Sequence, residues 1–219
     1  MLLSISHRFI FVHVNKAAGT SMIAALEQFG HNPPTDPLSK GLAKVGLVRD
    51  YRRRYFPVHT TASQLRRQLP AEVWDGFFKF AFVRNPWDWL VSTYHYLGTT
   101  KAHRHHRRVS AMGSFGEYVD WEIERARRSQ SGFVCEDDGV IVDYIGRFET
   151  LADDYEEICR RIGVKAPPLP HVNRTVHRGY REMYDDALIA RVAEHWRFDI
   201  ELFGYEFNGL RADARRNFP

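Results

Sequence analysis

The sequence of 219 residues contains only two cysteines, Cys135 and Cys159, and no apolar run that approaches the length of a membrane span. Two cysteines give no disulfide framework and form no C-x-x-C motif here, so we expect them to be buried free thiols. The first residues lack the charged region and long apolar segment of a signal peptide. These features exclude disulfide-rich secreted domains and membrane-spanning proteins, and we expect a soluble cytoplasmic protein.

Lysine and arginine slightly outnumber aspartate and glutamate, which gives the chain a formal net charge of +4. This mild excess suits anionic ligands. It is concentrated in two basic clusters, Arg52–Arg54 and Lys101–Arg108. The second cluster is either a solvated loop or a rim that attracts an acidic acceptor, and the sequence leaves both readings open. Its histidines have no cysteine or acidic partner at ligand spacing, so we expect no metal there.

Two short segments carry most of the functional information. The apolar stretch Phe9–Val14 leads into the polar turn Asn15–Ser21, and the apolar stretch Phe80–Val83 leads into Arg84–Trp87, with Ser92 further on. Each segment is typical of a strand that ends in a turn and opens a helix. Helix N-termini offer unpaired N–H groups and a partial positive charge, so both turns suit anions. Two such turns indicate a ligand with two anionic groups, and most ligands of that kind are nucleotides.

The first turn is not a Walker A motif. That motif places lysine directly after its second glycine. Here Lys16 precedes Gly19 by three residues, and no glycine opens the loop. Such a loop fits one phosphate-like group better than a triphosphate. The simpler alternative is a plain strand-to-helix turn with Thr20 or Ser21 as the N-cap.

Taken together, the two turns resemble the motifs of the PAPS-dependent sulfotransferases (PAPS is 3′-phosphoadenosine 5′-phosphosulfate), specifically the Golgi-type carbohydrate sulfotransferases and their bacterial relatives. His13–Ser21 is similar to the family pattern H-V-P-K-x-A/G-G-T-S, which binds the 5′-phosphosulfate. Phe82–Tyr94 is similar to F-V-R-N/D-P-x-x-R-x-x-S-x-Y, which binds the 3′-phosphate. Asn15 and Trp89 depart from the family, which usually has proline and often arginine at these positions.

The resemblance continues through Phe148–Glu149 and Leu169–Asn173 to Asp199–Tyr205, so it covers nearly the whole chain. It implies PAPS as the sulfuryl donor. We expect no metal in the chemistry, because a sulfuryl group carries less charge than a terminal phosphate and lysine with backbone donors could suffice. The donor-binding residues that the resemblance implies are Asn15, Lys16, Ala17, Ala18, Gly19, Thr20, Ser21, Arg84, Ser92 and Asn173.

Two residues are the predicted catalytic groups. Lys16 would stabilise the charge that develops on the leaving 5′-phosphate. His59 would take the proton of the acceptor hydroxyl, because an imidazole titrates near neutral pH and family members often place a histidine or glutamate at a comparable position. Alternatively, His59 caps the helix that follows Thr60–Thr61. We expect His13 to be a satisfied structural histidine, and we give His171 only a supporting role beside the nucleotide.

The apolar pattern predicts alternating strands and helices. Strands are expected over 8–14, 55–59, 77–83 and 140–148, and helices over 20–29, 64–69, 87–97, 115–128, 150–162 and 185–196. Loops are expected over 31–49 and 129–139, with a short turn between 196 and 203. We therefore predict an α/β, P-loop-like three-layer fold with a central parallel sheet flanked by helices, in which residues 1–219 form a single sulfotransferase domain.

The predicted function is transfer of a sulfuryl group from PAPS to an acceptor hydroxyl. We expect the hydroxyl on a carbohydrate or another small molecule, and the mild positive charge suits an anionic acceptor. The alternative is a P-loop-type nucleotide or small-molecule kinase. A kinase would need the Walker A order and an acidic Mg²⁺ ligand, and the early Lys16 argues against it. A nucleic-acid-binding protein would use the basic clusters but would leave both turns unexplained, so we expect no nucleic-acid partner.

Overall fold

The fold is described from a computed structural model, which covers residues 1–31, 50–125, 129–137, 139–170, 179–214 and 218. Its strands are β1 (Leu2–Ser4), β2 (Phe9–Val12), β3 (Phe78–Val83), β4 (Cys135–Glu136), β5 (Gly139–Val140), β6 (Tyr144–Arg147), β7 (Tyr205–Glu206) and β8 (Gly209–Leu210). Its α-helices are α1 (Gly19–Leu26), α2 (Ala62–Gln68), α3 (Ala71–Gly76), α4 (Pro86–Thr99), α5 (His106–Val109), α6 (Phe115–Glu124), α7 (Ser131–Val134), α8 (Leu151–Arg161), α9 (Asp186–His195) and α10 (Arg197–Phe203).

The central sheet has the strand order β1-β2-β3-β6. Strands β2, β3 and β6 run parallel, and β1 pairs antiparallel with β2 at the edge. The prediction of an α/β fold with a central parallel sheet flanked by helices is confirmed; the antiparallel edge strand was not foreseen. Because β2 and β3 are parallel neighbours, their carboxyl ends meet at one edge of the sheet, where ligands of open α/β sheets bind. Both predicted turns start at this edge.

The predicted second strand over 55–59 is wrong. This segment is irregular and ends in a turn at Val58 and His59. Pro57 has no N–H to donate to a sheet, and its carbonyl oxygen accepts hydrogen bonds from both the N–H and the hydroxyl of Thr60. Tyr55 and Val58 project outward and are 42% and 44% exposed. Of the apolar residues that suggested a strand, only Phe56 is buried in the core.

Three further boundaries differ from prediction. The expected loop over 129–139 contains α7 and the strand β4, which pairs with β5. That pairing takes Val140 out of the expected strand over 140–148, and β6 covers only Tyr144–Arg147. The expected turn between 196 and 203 is the helix α10, which ends at Gly204 in the left-handed conformation. The expected loop over 31–49 lies almost entirely outside the described residues.

Helix starts follow the side-chain signals well. Thr61 forms a capping box with Gln64 at the start of α2, and Ser114 and Asp185 accept hydrogen bonds from the first turns of α6 and α9. At α4, Asn85 is the N-cap and the first helical residue is Pro86, so this helix begins within the predicted turn Arg84–Trp87.

Two apolar clusters hold the described residues together. One surrounds the sheet, and Cys159 is buried in it; Cys135 is half-buried, and neither cysteine forms a disulfide. The other surrounds α4 and contains Trp89 and Trp121, packed against residues of α6 and α9. The second cluster fixes α4, the helix that carries the second turn, against the rest of the chain.

A buried carboxylate supports the end of β3 from behind. Asp199 is fully buried, and its two oxygens accept the backbone N–H groups of Gln130 and Ser131 at 2.7 and 3.1 Å. Burial raises the pKa of Asp199. The side-chain amide of Gln130 in turn accepts from the backbone N–H of Arg84 at 2.9 Å and donates to its carbonyl at 2.7 Å. The backbone of Arg84 is therefore fixed through two layers of hydrogen bonds.

We expect Asp199→Asn to lower the free energy of unfolding by ~1–3 kcal/mol, because an amide accepts only one of the two N–H groups and turns a donor toward the other. Urea denaturation followed by circular dichroism measures the loss. Asp213→Asn is the matched control, since the Asp213 side chain is 77% exposed. Equal unfolding midpoints for the two variants would contradict this role of Asp199.

Candidate functional site

The first turn is a tight loop between β2 and α1. Lys16 and Ala18 both adopt positive φ angles, 62° and 61°, which side chains other than glycine rarely take. Ala18 is the N-cap of α1 and contributes no side-chain hydrogen bond. The alternative in which Thr20 or Ser21 caps the helix is therefore wrong. The first-turn N–H groups of Gly19, Thr20 and Ser21 have no intrahelical acceptor, as at any helix start, and they suit an anion.

Helix α4 holds this loop in place. The indole N–H of Trp89 donates to the carbonyl oxygen of Asn15 at 2.7 Å, and an N–H of the Arg84 guanidinium lies 3.5 Å from the carbonyl oxygen of Lys16. The loop carbonyls are thus turned toward α4. Sequence reasoning missed this role of Trp89, and its only signal was the departure from the arginine that is usual at this position.

A close contact explains the glycine at the start of α1. A Cβ atom on Gly19 would lie 1.9 Å from the Cδ2 and Nε2 atoms of His13, so no side chain fits there without a shift of the loop. His13 is 7% exposed, and no described residue hydrogen bonds its buried Nδ1 atom. Burial is the main cause that lowers the pKa of His13 to about 3, followed by the positive N-terminus and His59. The expectation of a satisfied structural histidine is therefore wrong at Nδ1, although the ring is neutral and buried.

A cleft of about 530 Å³ opens beside this loop. Four of the predicted site residues line it: Asn15, Lys16, Thr20 and His59. The other described residues that line it are His13, Thr93, Tyr96, Leu97, His103, Arg104, His105, Arg125 and Phe133. The Lys16 ammonium lies 4.4 Å from the centre of the Tyr96 ring, a cation–π contact with α4.

His59 reaches the cleft from the turn that follows Pro57. Its Nδ1 atom lies 3.2 Å from the carbonyl oxygen of His13, and the two rings are 4.7 Å apart. Because a carbonyl only accepts hydrogen bonds, this contact puts the proton on Nδ1 and leaves Nε2 as the basic nitrogen. Thr61, not His59, caps the next helix, so the capping alternative is wrong.

The second turn lies outside the cleft. The Nε atom of Arg84 donates to Asp88 at 2.7 Å, and its guanidinium stacks 4.0 Å from the Phe148 ring, so the residue is only 8% exposed. Ser92 is also buried. Six predicted donor residues do not line the cleft: Ala17, Ala18, Gly19, Ser21, Arg84 and Ser92. Asn173 and His171 lie outside the described residues.

The downstream residues of the resemblance support the second turn. Glu149 accepts the backbone N–H of Asn85 at 2.7 Å and the hydroxyl of Tyr205 at 2.9 Å. Burial raises the pKa of Glu149. The amide of Asn85 also donates to the carbonyl oxygen of Glu206 at 2.9 Å. These contacts join three distant parts of the chain at the N-terminus of α4.

Within the described ranges, no group of three or more histidine, cysteine, aspartate or glutamate side chains could hold a metal ion. In the same ranges, none of the helices has the length and apolar character needed to cross a membrane.

Comparison with known proteins assigns the family. The model of the sulfotransferase family matches residues 1–206. The chain therefore belongs to the sulfotransferase family, which confirms the predicted enzyme class, a PAPS-dependent sulfotransferase.

Individual relatives are distant. An uncharacterized protein of Archaeoglobus fulgidus is 28% identical over 124 residues, which are 56% of this chain and 98% of that protein. Among solved structures, mouse sulfotransferase SULT7A1 complexed with PAP has a TM-score of 0.45 at 16% identity, over 95% of this chain and 71% of that one. A sulfotransferase from Alicyclobacillus acidocaldarius has a TM-score of 0.39 at 15% identity, over 92% of this chain and 97% of that one. The family assignment rests on the family model.

The buried neutral His13 predicts acid sensitivity of the fold. Its pKa is lowered from 6.5 to about 3, so between these values the unfolded chain binds a proton that the folded chain does not. Its contribution to stability is therefore complete above pH 6.5 and is lost as the pH falls toward 3, at ~1.4 kcal/mol per pH unit. Urea denaturation at pH 7 and pH 5 should show a smaller acid loss for His13→Gln than for the wild type. The exposed His195→Gln should match the wild type; equal acid losses for all three proteins would contradict the assignment.

Proposed function

We propose that this protein transfers a sulfuryl group from PAPS to an acceptor hydroxyl by in-line displacement, and that the acceptor is a carbohydrate. The proposal is carried by one observation: a single cleft contains a lysine at a helix-start turn and, on its wall, a histidine whose Nδ1 atom lies 3.2 Å from a backbone carbonyl oxygen. The predicted cytoplasmic location and the single domain over residues 1–219 belong to the same proposal.

The donor's 5′-phosphosulfate would lie against the first turn of α1. The N–H groups of Gly19, Thr20 and Ser21 and the ammonium of Lys16 would bind its phosphate oxygens. The Lys16 ammonium rests on the Tyr96 ring, a contact weak enough for a phosphate to replace. Ala17 and Ala18 leave the loop surface without bulky side chains, and the Asn15 carbonyl is held away by Trp89.

The chemical step follows from these positions. His59 Nε2 accepts the proton of the acceptor hydroxyl while the hydroxyl oxygen forms a bond to sulfur. The bond between sulfur and the bridging oxygen of the 5′-phosphate breaks, and its electron pair stays on that oxygen. Lys16 and the loop N–H groups stabilise the negative charge that develops there, and they do so most strongly in the transition state.

The 3′-phosphate is assigned to Arg84 and Ser92, with Asn173 beside the nucleotide. Asp88 occupies the Nε atom of Arg84, and one terminal nitrogen lies 3.5 Å from the Lys16 carbonyl oxygen; the other terminal nitrogen would donate to a phosphate. Arginine suits this role because its donors form a rigid fork. The neutralising Asp88 would keep the buried guanidinium stable when no donor is bound.

A comparison of two nucleotides tests the Arg84 assignment by calorimetry. 3′-Phosphoadenosine 5′-phosphate (PAP) should bind the wild type at least about tenfold more tightly than AMP, which lacks the 3′-phosphate. Arg84→Gln combined with Asp88→Asn removes both members of the ion pair and should abolish this preference while AMP affinity stays the same. Asp88→Asn alone is the control and should keep the preference. A double variant that still prefers PAP would refute the assignment.

Slow hydrolysis of PAPS to PAP and sulfate, with water as the acceptor, tests the catalytic roles without a known acceptor. We expect Lys16→Met and His59→Gln each to lower this rate about 10²-fold or more, because one loses the charge that stabilises the leaving group and the other loses the base. His59→Gln should keep the PAP affinity of the wild type. The exposed Lys165→Met is the matched control and should react normally. A variant that retains more than about a tenth of the rate would remove its residue from the mechanism.

A further inference from the structure

The cleft beside the first turn contains more positive charge than the donor accounts for. Among the described residues that line it there are three cations, four histidines and no aspartate or glutamate. Lys16 is assigned to the 5′-phosphosulfate, and Arg84, outside the cleft, to the 3′-phosphate. Arg104 and Arg125 therefore remain without a role in donor binding.

These two arginines converge on one atom. The Nε atom of Arg104 donates to the Nε2 atom of His105 at 3.0 Å, and an N–H of Arg125 approaches the same Nε2 atom at 3.3 Å. A nitrogen that accepts from two guanidiniums carries no proton, so His105 is neutral in this arrangement. In agreement, burial, Arg125 and Arg104 lower the pKa of His105. Two cations are thus held together by a neutral acceptor.

Arg125 is rigidly held. Its Nε and Nη2 atoms donate to the two carboxylate oxygens of the fully buried Glu122, at 2.8 and 3.0 Å. Its guanidinium also lies 4.3 Å from the centre of the Trp121 ring. These contacts leave the Nη1 atom of Arg125 directed toward His105 and the cleft. Glu122 cancels one charge, but no described carboxylate lines the cleft beside Arg104, so the pair of arginines keeps a net positive charge.

A series of ring contacts connects these arginines with Lys16. The Lys16 ammonium lies over Tyr96, the Tyr96 ring is 5.8 Å from His103, and the His103 ring is 5.4 Å from His105. The backbone N–H of His105 also donates to Nδ1 of His103 at 3.2 Å. A molecule whose hydroxyl reaches the site of sulfuryl transfer would therefore extend toward Arg104 and Arg125.

We propose that Arg104 and Arg125, held together by His105, bind an anionic group of the acceptor, so that the substrate is an acid carrying a carboxylate, sulfate or phosphate beside the hydroxyl that is sulfated. This inference rests on the proposed function. It gives the basic cluster Lys101–Arg108 the role of a rim rather than of a solvated loop. Guanidinium groups suit all three anions, because each offers two oxygens at the right spacing.

The test uses the PAP-saturated enzyme, so that the donor phosphate sites are filled, and inorganic sulfate as the probe in calorimetry. Arg104→Gln changes an exposed side chain. Arg125 is changed together with its buried partner, as Arg125→Gln with Glu122→Gln, so that no lone carboxylate is left buried. Arg160→Gln is the matched control, since Arg160 is 72% exposed on α8 and does not line the cleft.

We expect sulfate to bind the wild type and the Arg160 variant equally and to bind each cleft variant about tenfold more weakly, with PAP affinity within about twofold throughout. No sulfate binding, or equal binding by all variants as for an adventitious ion only, would overturn the proposal. A parallel loss of PAP affinity would also overturn it, because the arginines would then belong to the donor site. Failure of the wild type to bind PAP would instead refute the proposed function.

A second pair of probes, glucuronate and glucose, separates an acidic acceptor from simple affinity for anions. The two sugars differ in the carboxylate. Glucuronate should compete with sulfate on the PAP-saturated wild type, and glucose should not. Equal competition by both sugars, or by neither, would overturn the assignment of an acidic acceptor.

Discussion

The hydrogen bond from the Trp89 indole to the Asn15 carbonyl is the contact on which the site depends. It ties the loop after one parallel strand to the helix after its neighbour, so the two turns of the candidate donor site cannot move independently. With the approach of Arg84 to the Lys16 carbonyl, it turns the loop's acceptors toward the protein. A loop held this way presents donors rather than acceptors to a ligand, which is what an anion requires.

A neutral histidine, His13, packs against the same loop at Gly19. Burial keeps its ring uncharged, so the residue fills space beside the helix start without adding a proton that could titrate during catalysis. Its carbonyl oxygen also fixes the tautomer of His59. Positive charge is thereby left to Lys16 on the donor side of the cleft and to Arg104 and Arg125 on the other side. This distribution accounts for how one cleft could bring two anionic reactants together.

Features set by neighbouring residues, such as strands and helix starts, could be predicted from the sequence. Features set by contacts between distant residues could not. The parallel strands and the helix that begins at the second turn follow from apolar runs and helix-start residues, which act over a few positions. The predicted strand over 55–59 was wrong because Pro57 has no N–H to donate to a neighbouring strand, and its carbonyl oxygen bonds Thr60 in a turn instead. For the site, the motifs identified Lys16. The convergence of Arg104 and Arg125 depends on the contact between His105 and Arg125, which are twenty positions apart and belong to neither motif.

The central claim is that the two turns bind the two phosphates of one nucleotide, and a crystal structure of the protein with PAP tests it most directly. The account predicts the 5′-phosphate at the first turn of α1, within hydrogen-bond distance of Lys16, and the 3′-phosphate at Arg84 and Ser92. The cleft wall at Arg104 and Arg125 should stay clear of the nucleotide. A PAP molecule with either phosphate at that wall, or with its 5′-phosphate away from Lys16, would contradict the account.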